Sequence, residues 1–318
     1  MMNKDYTFTI SYGKLCVPLY RVYAQPLTGI TAIPESNFTG RPNTIFALEV
    51  DVEVFGNNFL PAYTEGDNSN VVATDSMKNF ILRQALTFEG STLEGLLDLL
   101  GQRFLLTYPQ MEGLRLTARE LPFLSVQIPG QDNSVWEESK ILFQRSHNDF
   151  AMAMLEFSRD GEELVITAHN CGRVNLELFK VTGSAFTRFV HDEYTTLAER
   201  VDRPLFIHLD VYWTYTSAAT LLNPNLSSYV PAEQVRDLIQ VVFETFVSES
   251  IQHLVYEMGH RLLERFPQLA SVTFDAQNRT RDLVTALGVN EKAKVYTDPF
   301  TAYGDIKLTL KRNASDIA

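Results

Sequence analysis

Helix-forming periodicity is confined to two stretches of this chain, each holding a pair of helices, and that restricts the fold to a layered unit used twice. The first pair is expected to open at residues 75 and 91, the second at 231 and 250. The separations are 156 and 159, and half of the 318 residues is 159. A unit of strands, two helices and strands therefore repeats with little residue identity, giving expected domains 1–145 and 146–318. In the first pair, 75–86 is followed by 91–108, where Leu93, Leu96, Leu97, Leu100 and Phe104 form one stripe. Ser91 and Glu94 have capping-box spacing, and Pro109 closes that helix. In the second pair, Pro231 takes a first helical position and Val235, Leu238, Ile239, Val242, Phe243 and Phe246 face inward. The helix after it turns Ile251, Leu254, Val255, Met258, Leu262 and Phe266 inward and stops at Pro267.

Around the helices the period changes to two. Over residues 45–54, Phe46, Leu48, Val50, Val52 and Val54 share one face, and Glu49, Asp51 and Glu53 share the other. Antiparallel sheets allow such a half-wet strand. Shorter alternation marks strands at 6–12, 18–23, 114–118, 149–157, 164–168, 175–181, 205–213, 271–274 and 306–310. Asp160-Gly161 signals a hairpin, while 25–43, 128–134 and 214–229 carry prolines and read as long loops. The class is α+β, and long alternating strands have edges that oligomerisation would close.

Charge narrows the chemistry. With 27 Lys+Arg against 39 Asp+Glu the net charge is −12, and no basic run exceeds Lys311-Arg312, which excludes a nucleic-acid binder. Cys16 and Cys171 form neither a disulfide framework nor a CxxC. The histidines, at 147, 169, 191, 208, 253 and 260, contain no HExxH, so no metal is expected. Neither a P-loop, a GxGxxG nor a GxSxG is present. Met1-Met2-Asn3-Lys4-Asp5 runs into alternation with no signal-peptide core, no segment approaches the roughly 18 apolar residues of a membrane helix, and Ser315-Asp316-Ile317-Ala318 is no peroxisomal address. A soluble cytoplasmic protein without a membrane partner is expected.

One segment is specific. Tyr63-Thr64-Glu65-Gly66-Asp67-Asn68-Ser69-Asn70-Val71-Val72-Ala73-Thr74-Asp75-Ser76-Met77-Lys78-Asn79 resembles the signature of the urate oxidase (uricase) family. Three further stretches look like the same family in the same order: Tyr12-Gly13-Lys14, Asp192-Glu193-Tyr194-Thr195-Thr196-Leu197 with Asp202-Arg203, and Ser250-Ile251-Gln252. The resemblance implies the tunnelling fold (T-fold): two tandem units, each an antiparallel four-stranded sheet backed by two helices. It also implies a homotetramer whose sheets join into a β-barrel tunnel, with active sites shared between subunits. The implied reaction is oxidation of urate by O2 to 5-hydroxyisourate and H2O2 in purine degradation, with no metal and no cofactor. The alternative is a purine- or pterin-binding T-fold protein without turnover.

Site roles follow only from this likeness. Lys14, otherwise a solvated lysine at a strand turn, becomes the proton acceptor, which needs a neutral amine. Thr74, otherwise a helix N-cap, relays a proton to it, and the amide of Asp75 holds the purine edge. Arg203 offers a planar donor fork that, with Gln252, grips the urate ring, and the backbone of Ile251 adds a hydrogen bond. Phe186 stacks on the purine face, Leu197 joins the substrate contacts, and Asn278 holds dioxygen or water above the ring. The commoner family pattern Asn-Lys-His is here Asn278-Arg279-Thr280, so Thr280 replaces the histidine of the relay. Thr74 and Asp75 are expected from one chain and Lys14, Phe186, Arg203, Gln252 and Asn278 from another.

Overall fold

A computed structural model describes residues 6–130, 135–146, 148–161, 163–288, 292–299, 301–313 and 315. His147, the N-terminal Met1 to Asp5 and most of the C-terminal Ser315 to Ala318 stretch lie outside these residues, as does part of the 128–134 loop. The chain packs as two compact units, Met1–Ile30 with Thr39–Cys171 and Ser217–Tyr229, and Thr31–Phe38 with Gly172–Thr216 and Val230–Ala318. The exchange falls between Cys171 and Gly172, inside a strand, and not near 145. The alternating runs expected at 164–168 and 175–181 are one strand of 24 residues, with no turn between them.

In the first unit, strands β1 (Ser11–Val22), β2 (Ile45–Phe55), β3 (Gly113–Glu120), β6 (Phe150–Asp160) and the opening of β7 (Glu163–Phe186) lie in that order, with successive antiparallel pairing from β1 through β6. Helices α2 (Thr74–Leu86) and α3 (Leu93–Thr107) follow a short α1 (Leu60–Thr64), and α4 (Ala218–Leu221) closes the unit. Because Val50, Val52, Val54, Leu114 and Leu116 share one sheet face and Met77, Ile81, Leu97, Leu100 and Phe104 line the helices, all are buried together. A separate hairpin joins β4 (Phe123–Pro129) and β5 (Trp136–Arg145), two strands that flank the loop expected at 128–134 and take in its first residues. The cap of α3 also differs: the Thr92 hydroxyl, not Ser91, accepts the Gly95 amide at 3.1 Å. Glu94 is buried and receives the Tyr229 hydroxyl at 3.1 Å, so it takes no part in a capping box.

The second unit repeats the plan with the end of β7, then β8 (Arg200–Tyr215), β9 (Leu269–Asn278) and β12 (Gly304–Lys311), and helices α5 (Ala232–Thr245) and α6 (Ile251–Arg265). A small hairpin pairs β10 (Leu283–Ala286) with β11 (Lys294–Tyr296). Ile207, Leu209, Val211, Val272, Phe274 and Ala276 from the sheet are buried with Val235, Ile239, Leu254, Val255 and Met258 from the helices.

The repeat extends to single hydrogen bonds. Cys16 stands at φ 55 in a bulge of β1 and gives its amide to the Asp51 carboxylate at 2.7 Å. Asn175 stands at φ 65 in β7 and gives its amide to the Asp210 carboxylate at 2.7 Å. Both offsets, 175 − 16 and 210 − 51, are 159. The β1 bulge is a kink that re-aims the residues before it, and Asn175 repeats its left-handed backbone and its amide-to-carboxylate bond. Arg119 braces Asp51 at 2.7 Å in the first unit, whereas the Tyr212 hydroxyl braces Asp210 at 3.4 Å in the second. At the same offset, Gly13-Lys14 is matched by Gly172-Arg173.

Candidate active site

Lys14 is not at a turn. It lies within β1, three residues after its start, opposite Val52, and the bulge begins directly after it. Gly13 precedes it because the two backbones nearly touch: a Cβ there would lie 1.9 Å from the Val52 carbonyl oxygen. The alternation expected from residue 6 becomes a strand only at Ser11, where Phe55 at the end of β2 provides the first pairing. The signature segment is tied to the same strand. The Tyr63 hydroxyl donates to the Ser11 carbonyl at 2.8 Å, and the Val72 amide donates to the Tyr12 hydroxyl at 3.0 Å. Within that segment, the Asp67 carboxylate accepts the Ser69 amide at 2.9 Å, and the Asn70 side chain donates to the Asn58 carbonyl at 3.1 Å.

These ties set the start of α2. Thr74 is its first residue rather than its cap, and Ala73 in the cap position contributes no side-chain bond. No cap side chain therefore satisfies the opening amides of the helix. Asp75 is exposed and turned to Lys78 at 2.6 Å and Asn79 at 3.0 Å. Lys78 foremost, with a smaller pull from the Lys14 charge, holds the Asp75 carboxyl below its ordinary value. Lys14 therefore stands with Asp75 on one unit of one chain. The expected grouping sets Lys14 instead with Phe186 and Arg203.

On the second unit Arg203 rises from β8, its guanidinium 5.2 Å from the centroid of the Phe186 ring. Burial pulls this guanidinium below its usual value, and its Nε is buried without a hydrogen-bond partner among the described residues. Arg203 thus keeps donor capacity for an anion. Phe186 ends β7, where the Ala185 amide donates to the Ser248 carbonyl at 2.8 Å, and Phe189 stacks on it at 4.8 Å. The same lacing brings the end of β7 to the start of α6. There Ser250 caps the helix, accepting the His253 amide at 3.1 Å, and Ile251 and Gln252 are the first helical residues. Ile251 is buried and Gln252 exposed.

A cavity of about 230 Å³ in this unit gathers four expected residues, Leu197, Arg203, Asn278 and Thr280. A turn in which the Thr195 hydroxyl accepts the Asp192 amide at 3.0 Å and the Asp192 carboxylate accepts the Tyr194 amide at 3.0 Å leads into Leu197. Asn278 ends β9, paired with Ile207 on one side and Gly304 on the other. Ile251 and Gln252 do not line this cavity. Arg200, Arg279, Arg281 and Lys294 also line it, against Asp202 and Asp282, so five cations face two anions in a chain of charge −12. The Asp202 carboxylate accepts the Gly183 amide at 2.7 Å and the Thr182 hydroxyl at 2.8 Å, which hold it below its ordinary value. Residue patterns did not point to the cationic wall. Arg279, stacked 4.0 Å from the Tyr303 centroid, and Arg281, 4.6 Å from that of Phe206, had no signal beyond being basic and close to Asn278. Among the described residues no cluster of His, Cys, Asp or Glu could hold a metal, and no helix is long and apolar enough to cross a membrane.

A profile of the family described as Uricase matches residues 11–150 and 169–307. The uricase of Haloferax volcanii is 49% identical over 271 residues, covering 85% of this chain and 88% of that protein. The uric acid degradation bifunctional protein of Bacillus subtilis is 43% identical over 308 residues, 97% of this chain and 62% of its own length. Among solved structures, a uricase from Bacillus fastidious superposes with a TM-score of 0.93 at 42% identity, covering 96% of this chain and 94% of its own. Urate oxidase from Bacillus sp. TB-90 does so with a TM-score of 0.92 at 41% identity, covering 95% and 100%.

Proposed function

The chain belongs to the uricase family and is an oxidoreductase acting on urate, and from that premise we propose how its two groups of residues divide the reaction. Urate, O2 and water become 5-hydroxyisourate and H2O2 without a metal or organic cofactor. Dioxygen in its ground state is a triplet and urate a singlet, so electrons pass singly, and deprotonated urate is itself the donor. The protein holds the anion, removes a proton and keeps O2 against one face of the ring.

Arg203 and Gln252 grip the purine, the Ile251 backbone adds a bond, Phe186 lies under the ring and Leu197 beside it. Asn278 holds O2 and later the water. The amide of Asp75 takes the purine edge, and Thr74 passes a proton to Lys14. Thr280 completes the relay as a hydroxyl that passes a proton but cannot store one near neutral pH. A peroxide adduct at C5 loses H2O2, and water adds in its place. The units are T-fold units, the assembly is a homotetramer with a tunnel, and each site takes Lys14, Thr74 and Asp75 from one subunit and the remaining residues from another.

The observation that carries this reading is the Arg203 guanidinium, stacked on Phe186 with a buried Nε that has no partner among the described residues, and sharing a cationic cavity with Asn278 and Thr280. The test follows urate absorbance, oxygen uptake and peroxide release in protein treated exhaustively with chelators. One urate lost per O2 consumed and H2O2 formed is the expected result. Activity that vanishes on chelation and returns with a metal would sink it.

A further inference from the structure

We infer that Tyr12 is a positioning residue, a strut that sets the start of α2 at its working distance from Lys14. The inference rests on the proposed pairing of Lys14 with Thr74. Tyr12 and Lys14 are two residues apart on β1 and so share a face of the strand, opposite Val54 and Val52. The phenol oxygen accepts the Val72 amide at 3.0 Å, two residues before Thr74, and is a direct hydrogen bond from this face of β1 to the approach to α2. Burial, ahead of the Val72 amide's opposing pull, raises the phenol above its ordinary value, so it stays a neutral hydroxyl.

The ring is itself fixed. Phe59 meets it edge-on with centroids 5.0 Å apart and is buried. The neighbouring Tyr63 hydroxyl clamps Ser11, so the strand cannot slide under the strut. Val72 is buried, and Ala73 has no side chain to cap α2. Without the phenol oxygen, the Val72 amide loses its partner and the helix start loses its tie to the strand carrying Lys14. The chemical step should then suffer while the Arg203 grip on the ring is untouched.

The experiment is a double-mutant cycle with Tyr12→Phe, which keeps the ring against Phe59, and Lys14→Met. Turnover and KM for urate are measured at saturating oxygen, with thermal unfolding of each variant as the fold control. Tyr12→Phe is expected to lower kcat about tenfold, inside the ~10²-fold that ~1 Å of misplacement costs, with KM changing less. In the Lys14→Met background the same change should cost under about twofold, because nothing remains to be aligned. An equal loss in both backgrounds, or native kcat in Tyr12→Phe, overturns the strut. If Lys14→Met alone keeps near-native kcat, the pairing of Lys14 with Thr74 fails and the strut falls with it. If Lys14→Met is crippled while Tyr12→Phe is normal, only the strut fails.

Discussion

A guanidinium grips an anion at any pH at which the fold survives, but acid–base work needs a group that gives up its proton and takes it back. In the proposed reaction Arg203 and Lys14 divide those duties, and Thr280 supplies a hydroxyl in place of the histidine expected from the family resemblance. Lys14→Met is expected to lower turnover by at least the ~10²-fold typical of losing a positioned acid–base group. Thr280→Val should cost roughly tenfold or less, since Thr280 is exposed and water can stand in for its hydroxyl. Oxygen uptake by both variants decides, and the reverse order would remove Lys14 as the base. Away from the site, burial above all raises the Glu94 carboxyl, against smaller opposing pulls from its own amide, Cys171, Tyr229 and Arg41. The folded chain then keeps this proton to a higher pH than the unfolded chain. The resulting stability is complete below the ordinary carboxylate range and is lost as pH rises through the raised folded value. Glu94→Gln keeps an oxygen for Tyr229 and cannot ionise, so its melting temperature should fall less over that window. Parallel curves for the two proteins would acquit Glu94.

At the scale of elements, the tightest contact is backbone on backbone. A methyl group at residue 13 would meet the Val52 oxygen at 1.9 Å and the Glu53 Cα at 2.9 Å, neither of which can swing aside. Gly13→Ala should therefore separate β1 from β2 beside Lys14, at a cost in the upper part of the ~1–3 kcal/mol typical of overpacking, read by denaturant unfolding. A loss under ~0.5 kcal/mol would mean that the strands part freely. The same physics explains what could be read in advance. Strand β2 and helices α3, α5 and α6 bury one face completely, and burial writes a period into sequence. The β4–β5 hairpin exposes Leu124, Trp136 and Ile141, so no period betrays it. β7 looked like two strands because a left-handed Asn175 interrupts its alternation. The candidate site was legible only through motif likeness. Lys14 and Gln252 are 238 residues apart, and no spacing rule joins a lysine within a strand to the first turn of a distant helix. The placing of Lys14 with Asp75 depends on the Tyr12 and Tyr63 ties across β1, long-range hydrogen bonds that no residue spacing encodes.

For the whole molecule, the proposal of a shared site is tested by mixing. Hybrids of Thr74→Ala and Arg203→Ala chains should regain activity, because some sites combine an intact Thr74 with an intact Arg203. Lys14→Met mixed with Thr74→Ala should regain none, since those residues belong to one half of the site. Recovery in the second mixture, or none in the first despite proven exchange of subunits, would refute the division. The cationic cavity has a kinetic consequence of its own. A chain of charge −12 pushes an incoming urate anion away at long range, while Arg200, Arg203, Arg279, Arg281 and Lys294 attract it only near the mouth. Added salt first muffles the distant repulsion, and as the screening length shrinks toward ~8 Å and below it muffles the nearby attraction too. Capture of urate, read as kcat/KM, should thus climb and then decline across a salt titration, so the enzyme's best ionic strength lies between pure water and brine.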